Sequence, residues 1–169
     1  MGSKNKTHLL VDGYNVIFNV PDFKNTADLD HAREKLIAKL SNYAALTGQK
    51  IIIVFDAHRV PGGVAHIEEH GDVEVVFTAE SETADNVIER LAGKLAREGI
   101  VQVVTADYLE QRLILGQGAY RLPPGEFWQQ VCRVHARNST RREEKPAEGY
   151  LENRLEDKIR KVLEDWRQK

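Results

Sequence analysis

The chain has 169 residues and a mass of 19.2 kDa, which fits one domain that can bury a substantial core. Hydrophobic residues make up 41% and charged residues 30%, with only 5 Pro and 12 Gly, and this balance excludes disordered, collagen-like and rod-forming classes. The formal net charge of −2 argues, as an average, against binding of nucleic acid. The charges are segregated, however. Up to Cys132 the chain has 13 Lys and Arg and 18 Asp and Glu, and after Cys132 it has 11 Lys and Arg and 8 Asp and Glu.

The expected compartment is the cytoplasm. A single cysteine excludes an intrachain disulfide and a cysteine zinc cluster, and it favours a reducing environment without a disulfide partner. Residues 1–7 are polar and lack an apolar region behind them, so we expect a disordered segment or a tag remnant and no signal peptide. No apolar run approaches the ~20 residues that span a bilayer, so a membrane role is not expected.

Strands and helices alternate along the predicted chain. Short β-branched runs predict buried strands, and apolar residues at helical spacing predict the helices between them. The predicted strands are 8–11, 51–55, 73–77, 101–104 and a short one at 119–122. The predicted helices are 28–47, with Asp28 as N-cap and Gly48 past its end, 83–97, stopped by Gly99, 107–115, closed by Gly116, and 126–136.

The C-terminal part is predicted to be a basic connector and a helix. Residues 138–149 are polar and charged, and 150–168 place an apolar stripe on one face, typical of an amphipathic helix that docks on the body or a partner. The alternation predicts an α/β domain over 8–137, with 138–169 packed on it. Trp128, Trp166 and Cys132 are interpreted as packing residues, with Cys132 in the core.

Carboxylates follow the predicted strands. Asp12 and Asp56 come directly after two of them, Asp107 follows a third, and Asp85 lies in the first turn of the next helix. Because the carboxyl ends of parallel strands share one edge, these acids are expected to meet there. Crowded carboxylates resist joint ionisation unless a cation lies between them, so Asp12, Asp85 and Asp107 are predicted to bind Mg²⁺ or Mn²⁺. The alternative for each single Asp is a turn residue or helix cap.

Polar neighbours complete the expected site. Glu82 is a candidate outer ligand, and Gly13 is expected to let the backbone turn sharply after the first strand. Asn15 could bind a phosphate oxygen or a metal-bound water, or could be a plain turn residue.

These motifs, in this order, resemble the YacP-like branch of the NYN/PIN-like nuclease superfamily. The resemblance rests on the segments 11–17 (VDGYNVI), 54–57 (VFDA), 82–91 (ETADNVIERL), 104–111 (VTADYLEQ) and 116–122 (GQGAYRL). It covers nearly the whole chain from Leu9, and the combination is specific, whereas D-G-Y-N alone would be weak.

The resemblance implies a PIN-like three-layer α/β fold, with helices on both sides of a mostly parallel sheet, and a Mg²⁺/Mn²⁺-dependent endoribonuclease site. It matches Asp12, Asp85 and Asp107 to the metal-binding acids, with Asn15, Asp56 and Glu82 as accompanying catalytic residues and Tyr14 beside the substrate. For this branch it implies cleavage of mRNA in association with the translating ribosome. Related sequences commonly carry Ser where Ala106 stands, so Thr105 is the candidate for a hydroxyl at the site.

Positive charge after Cys132 offers a surface for RNA. Four arginines lie in a window without acids and could dock a phosphate backbone, or could simply complement the negative end of a helix: Arg133, Arg137, Arg141 and Arg142. His58 and Arg59, directly after Asp56, could contact the scissile region or face solvent.

Two other enzyme classes are disfavoured. Residues 66–70 match the H-x-x-E-H pattern of inverted zinc peptidases, but flanking glycines make a helix improbable there, and a loop or hairpin over the active edge is expected. A small-substrate phosphohydrolase lacks a phosphate-cradling Gly-rich loop. The remaining rival is a non-catalytic RNA- or ribosome-binding module, which would gain nothing from clustered negative charge facing phosphate.

Overall fold

The computed structural model describes residues 6–57, 64–107, 116 and 118–144. Six strands are present in these residues: β1 (Lys6–Asp12), β2 (Lys50–Phe55), β3 (His66–His70), β4 (Val73–Phe77), β5 (Gly99–Val104) and β6 (Tyr120–Leu122). The described residues also form four α-helices: α1 (Gly13–Asn19) and α2 (Leu29–Thr47) between β1 and β2, α3 (Ala84–Leu95) between β4 and β5, and α4 (Pro124–Glu144) after β6.

The strands form one mostly parallel sheet in the order β3-β4-β2-β1-β5-β6. Strand β1 lies at the centre and pairs in parallel with β2 and β5, whereas β3 pairs antiparallel with β4. In this register Asp12 is opposite Val54, and Val11 is opposite Val104. The carboxyl ends of the three central strands therefore lie at one edge, and the predicted α/β fold is confirmed.

Helices flank the sheet. Alternate strand residues point to opposite faces, and on one of them Leu10, Val54 and Val103 pack in a cluster with Ile88 of α3. The intervening residues, such as Leu9 and Ile51, are equally buried. Helices α2 and α4 meet through Tyr43 and Phe127, whose ring centroids lie 6.0 Å apart, edge to face.

The ends of α2 are as predicted. The side chain of Asp28 accepts a hydrogen bond from the backbone N–H of His31 at 2.8 Å and so caps the first turn. Gly48 ends the helix in the left-handed conformation with φ of 71°, which favours a residue without Cβ.

Several boundaries differ from the predictions. Strand β1 begins at Lys6, inside the segment expected to be disordered, and the seven-residue helix α1 was not predicted. Gly99 opens β5 and does not stop α3, which ends at Leu95. A Cβ on Gly99 would lie 2.0 Å from the carbonyl oxygen of Lys6, so glycine permits the close approach of β1 and β5.

Helix α4 is longer than predicted and includes residues 138–144, which were expected to belong to the connector. The chain divides into two compact units, Met1–Cys132 and Arg133–Lys169, and the division falls within this helix. Cys132 is exposed, so its predicted core position is wrong. The buried stripe of α4 includes Phe127 and Val131, and Cys132 lies about 100° around the helix from Val131.

Other predictions concern Trp128 on α4 and the helices expected near Asp107 and at the C-terminus. Trp128 packs as predicted, edge to face with Phe23 at 4.9 Å, and its Nε1 donates to Asp22 Oδ2 at 2.7 Å. The predicted helices beyond Asp107 and over 150–168, including Trp166, lie outside the described residues. None of the helices that the structure describes is long and apolar enough to cross a bilayer.

The H-x-x-E-H run forms strand β3, so the rejection of a helical zinc site is confirmed. The predicted hairpin is present, but β3 is the outer strand of the sheet, separated from β1 by β4 and β2. His66 and His70 each contact Glu68 at 3.1 Å on the exposed edge, and these contacts help to lower the pKa of the Glu68 carboxyl.

Candidate active site

Three of the predicted acids line one cleft at the carboxyl edge of the sheet. Asp12 is the last residue of β1, Asp56 directly follows β2, and Asp85 lies in the first turn of α3. The cleft has a volume of about 280 Å³, and its lining is Asp12, Tyr14, Asn15, Phe18, Asn19, Asp56, Thr83, Ala84 and Asp85. Parallel pairing of β1 with β2, together with α3 following β4, accounts for this convergence.

Asp12 is the buried member of the acid group. Its side chain caps α1 by accepting a hydrogen bond from the backbone N–H of Asn15 at 3.3 Å. Burial raises the pKa of Asp12 to about 6, and the charges of Asp85 and Asp56 add to this effect, whereas hydrogen bonds from Asn15 oppose it. A cation beside Asp12 would therefore relieve an unfavourable negative charge.

Thr78 holds the backbone beside Asp56. The Thr78 side chain is buried, and its hydroxyl accepts a hydrogen bond from the backbone N–H of Ala57 at 3.0 Å. Its own N–H donates to the carbonyl oxygen of Phe55 at 3.0 Å. Thr78 was not among the predicted site residues, although its position directly after β4 was a usable signal.

Asn15 ties α1 to the loop after β5. Its Oδ1 accepts a hydrogen bond from the backbone N–H of Ala106 at 2.9 Å. The hydroxyl of the fully buried Thr105 accepts from the N–H of Asp107 at 3.1 Å, and Arg121 Nε donates to the carbonyl oxygen of Thr105 at 2.9 Å. Arg121, which the sequence analysis gave no role, therefore holds the loop that carries Asp107. The backbone of residue 106 makes the contact with Asn15, so alanine can serve there.

Two predicted catalytic residues do not appear in the lining of the cleft. Asp107 is half-buried on the neighbouring loop. Glu82 forms an ion pair with Arg90, which lies eight residues further along the chain. Thr83 caps α3 by accepting a hydrogen bond from the N–H of Asn86 at 3.3 Å, and it thereby orients the helix turn that presents Asp85.

Aromatic side chains form another part of the cleft. The Tyr14 hydroxyl accepts a hydrogen bond from Arg33 Nη1 at 2.8 Å, and buried Arg33 also pairs with Asp30. The Tyr14 ring stacks on Phe18, with centroids 6.0 Å apart and 20° between the planes. Phe18 is 51% exposed. Neither Arg33 nor Phe18 was predicted from the sequence. The contact of Arg33 joins two helices, and the role of Phe18 depends on the exposure of its side chain.

Gly13 has a different role from the one predicted. Its φ is not positive, so the turn after β1 does not require glycine for backbone freedom. A Cβ at this position would instead lie 2.3 Å from Cε1 of Phe55. Glycine therefore provides room for a buried ring directly beneath the cleft.

The family model for the YacP-like NYN domain matches residues 9–168. The chain belongs to this family. NYN domains are PIN-like nuclease domains, and the α/β sheet with its acidic carboxyl edge is consistent with that fold.

Relatives of this NYN domain occur in Bacillus subtilis. YacP of strain 168 is 41% identical over 166 residues, which cover 94% of this chain and 95% of the relative. A crystal structure of B. subtilis Rae1 (YacP) is 40% identical, with a TM-score of 0.71 and coverage of 95% and 94%. A tryptophan-to-leucine mutant of Rae1 (YacP) is 38% identical, with a TM-score of 0.73 and coverage of 88% and 89%.

NYN nucleases generally use a divalent metal, and the side chains of the cleft include oxygen ligands for such an ion. Carboxylate oxygens of Asp12, Asp56 and Asp85 suit Mg²⁺ or Mn²⁺. Among the described residues, however, no three His, Cys, Asp or Glu side chains form a group that could hold an ion by themselves. Because Mg²⁺ commonly keeps several waters and takes one or two carboxylates, the cleft of this NYN domain fits a hydrated ion.

The predicted RNA-contacting residues outside the cleft fall into two groups. His58 and Arg59 lie outside the described residues. Four arginines are exposed on the part of α4 that belongs to the second compact unit: Arg133, Arg137, Arg141 and Arg142. Arg133, Arg137 and Arg141 follow one another at intervals of four residues and therefore share a stripe of the helix.

Proposed function

We propose that this NYN domain is a metal-dependent endoribonuclease that cleaves mRNA in association with the translating ribosome. The observation that carries the proposal is the buried Asp12 carboxyl beside Asp85 and Asp56 in an open cleft. Clustered negative charge would repel the phosphates of RNA if the site only bound RNA. The same charge is useful where a divalent cation mediates between the protein and the phosphodiester.

The acids have distinct roles in the proposed site. Asp12 and Asp85 would hold Mg²⁺ or Mn²⁺ directly, and Asp56 and Asp107 would act through water. When bound, the ion would lower the pKa of a water and offset charge on the phosphodiester. Asn15 keeps the Asp107 loop beside α1 and donates to Asp12. Water attacks phosphorus in line, and the products carry a 3′-hydroxyl and a 5′-phosphate.

The proposed partners are mRNA and the ribosome. The exposed arginines of α4 supply cations that could contact RNA phosphates in an otherwise acidic protein. A protein with a net charge of −2 gains little from general attraction to free RNA. Docking by shape on a large RNA partner would favour cleavage of RNA that is presented there over cleavage of free RNA.

The central experiment compares the wild type with Asp12→Asn/Asp85→Asn on translated and untranslated mRNA, with Mn²⁺ or EDTA. We expect cleavage of translated mRNA by the wild type in Mn²⁺ only, and none by the double variant. The matched control is Asp28→Asn/Asp72→Asn, which removes the same charge from exposed positions outside the cleft.

Thermal unfolding provides a second readout. Mn²⁺ should raise the unfolding midpoint of the wild type and the control variant, because an ion that binds only the folded state stabilises it. It should not raise that of Asp12→Asn/Asp85→Asn. Equal cleavage by the double variant would refute the mechanism, and cleavage of untranslated RNA alone would refute the ribosome association.

Phe18→Ala is expected to weaken the use of single-stranded RNA. Phe18 lines the cleft, is 51% exposed and stacks on Tyr14, so its exposed surface can contact a nucleobase. Loss of one base–aromatic contact, worth about 1–3 kcal/mol, should raise KM roughly fivefold or more. The measurement is the kinetics of cleavage of a single-stranded oligonucleotide, with Phe18→Tyr as the variant that retains a stacking ring.

An abasic nucleotide scan makes this prediction specific. At the position whose base stacks on Phe18, removal of the base should slow the wild type and leave Phe18→Ala unaffected. If Phe18→Ala cleaves the intact oligonucleotide as well as the wild type does, the side chain has no role in substrate binding.

A further inference from the structure

A second concave surface runs along the outer side of α3, apart from the acidic cleft. This surface, the α3 groove, has a volume of about 560 Å³, and none of the described residues that line it also lines the cleft. Its lining is Asn86, Glu89, Arg90, Leu91, Gly93, Lys94 and Arg97. The proposed nuclease function gives this surface no role so far.

The α3 groove is positively charged. Arg90 and Lys94 are exposed and lie one helical turn apart on α3, and Arg97 is exposed in the turn that follows the helix. Glu89 is the acid in the described lining, which leaves a formal excess of two positive charges. Arg90 is paired with Glu82, so Lys94 and Arg97 contribute most of the charge that a ligand would meet. The surrounding unit, by contrast, has more acids than bases.

The groove begins where the cleft ends. Thr83, Ala84 and Asp85 line the cleft, and the next residue, Asn86, lines the groove. With a rise of about 1.5 Å per residue, Lys94 lies about 14 Å along the axis from Asp85, and Arg97 follows in the turn after the helix. A strand whose phosphodiester lies in the cleft can therefore continue along α3 for several nucleotides.

The shape and chemistry of the groove suit a phosphate backbone. Arginine offers a fork of donors that matches phosphate oxygens, and lysine offers a compact charge for the same group. Gly93 contributes no side chain to the lining, which leaves room for a bulky sugar-phosphate chain. Among the described residues of the lining there is no aromatic side chain, so these residues offer phosphate contacts and no stacking platform.

We infer that the α3 groove binds the sugar–phosphate backbone of the RNA strand that flanks the scissile bond. This inference rests on the proposed nuclease function, since it is the cleft that places the scissile phosphodiester beside Asp85. Lys94 and Arg97 contact phosphates without regard to sequence, and Asn86 donates to sugar or phosphate oxygens at the junction with the cleft.

The test is RNA binding by Lys94→Ala/Arg97→Ala, measured by fluorescence anisotropy in EDTA so that no cleavage occurs. The probes are fluorescein-labelled single-stranded RNAs of about 20 and about 4 nucleotides. The matched control is Lys6→Ala/Lys50→Ala, which removes two charges at the starts of β1 and β2, the opposite edge of the sheet. Alanine is a good helix former, so the groove variant should fold, and its thermal midpoint is measured to verify this.

The groove variant should bind the long RNA roughly tenfold more weakly near 0.1 M salt, whereas the control should resemble the wild type. Its affinity should also depend less on salt between ~50 and ~200 mM, with a log–log slope smaller by about 1.4 for two lost phosphate contacts. The short RNA, which fills only the cleft, should be bound equally by all three proteins.

Equal affinity of the groove variant and the wild type for long RNA would overturn the inference and leave the groove to a partner of other chemistry. An equal loss in the control would also overturn it, because net charge would then explain the effect. The binding result does not require cleavage. If the wild type shows no nuclease activity, the proposed function is contradicted and the binding result for the groove still stands. If the groove variant is active and cleaves long RNA with a normal KM, the groove inference is contradicted and the proposed function still stands.

Discussion

Asp12→Asn is expected to make the protein more stable at neutral pH while it greatly slows RNA cleavage. Asp12 is 8% exposed, and burial raises the pKa of its carboxyl to about 6, with Asp85 and Asp56 adding to the shift. The unfolded chain ionises this group near its ordinary value of 3.8, so folding at pH 7 includes the cost of burying a charge. The difference between these pKa values corresponds to about 3 kcal/mol.

Asparagine removes the charge and keeps most of the local structure. It is as good an N-cap as aspartate, so the hydrogen bond to the backbone N–H of Asn15 can be retained. We expect the free energy of unfolding to increase by about 1–3 kcal/mol at pH 7, measured by urea denaturation. Cleavage should fall by ~100-fold or more, since the variant lacks the carboxylate that would hold the ion.

The pH dependence identifies the cause. Because the folded-state pKa of Asp12 is raised, its destabilising effect is complete above about pH 6 and disappears as the pH falls toward 3.8. The stability difference between Asp12→Asn and the wild type should therefore be largest above pH 6 and should close between pH 6 and pH 4. A difference that is constant with pH would show that side-chain charge is not responsible.

Asp28→Asn is the matched control for this prediction. Asp28 also caps a helix, but hydrogen bonds from His31 lower the pKa of its carboxyl, and the side chain is exposed. A lowered folded-state pKa contributes stability above the unfolded pKa, so this substitution should give no gain at pH 7. A gain equal to that of Asp12→Asn would mean that the effect is general to N-cap asparagine.

Gly13→Ala is expected to destabilise the protein by about 1–3 kcal/mol through overpacking. The added Cβ would lie 2.3 Å from Cε1 of Phe55, whose side chain is fully buried. Phe55 cannot move away easily, because its ring packs edge to face with Tyr14 at 5.1 Å and stacks with Phe77 at 5.6 Å. For a chain of this size the thermal midpoint should fall by about 2–4 °C per kcal/mol.

Two further variants separate packing from backbone effects. Gly125→Ala, in the first turn of α4, adds the same methyl group where nothing lies within 4 Å, and it should be neutral or slightly stabilising. In the double variant Gly13→Ala/Phe55→Leu, the smaller side chain at residue 55 should relieve part of the clash. The loss in free energy of unfolding should therefore be smaller for the double variant than the sum of the losses for the two single variants. Strict additivity would contradict the packing explanation.

The strands and helix ends that depend on local sequence pattern could be predicted from the sequence. Buried strands are predicted by short apolar runs, and the ends of α2 are predicted by Asp28 and Gly48. Both signals are local, because the period of apolar residues and the chemistry of helix caps depend only on neighbouring residues. The seven-residue α1 is too short to establish an apolar period. The full length of α4 was missed because its last turns, after residue 137, consist of polar residues that resemble a connector.

The candidate site was predictable in part for the same reason. That acids follow strands is a fact of sequence, and parallel pairing brings several of them to one edge. Which of them share the cleft depends on the pairing of β1 with β2 and on the approach of α3, and these place Asp12, Asp56 and Asp85 in the lining without Asp107. Glu82 was expected near the cleft, but its partner Arg90 lies two helical turns away along α3.

By itself, the sequence of this NYN domain determined the alternation of strands and helices, the family and the acidic carboxyl edge. Only the tertiary structure decided the buried state of Asp12, the room that Gly13 leaves for Phe55, and the link from Asn15 to Ala106. The physical reason is the separation along the chain over which each effect acts. Periodicity and capping act over a few residues, whereas burial, close packing and charge coupling depend on residues that are distant in the chain, such as the 91 positions between Asn15 and Ala106.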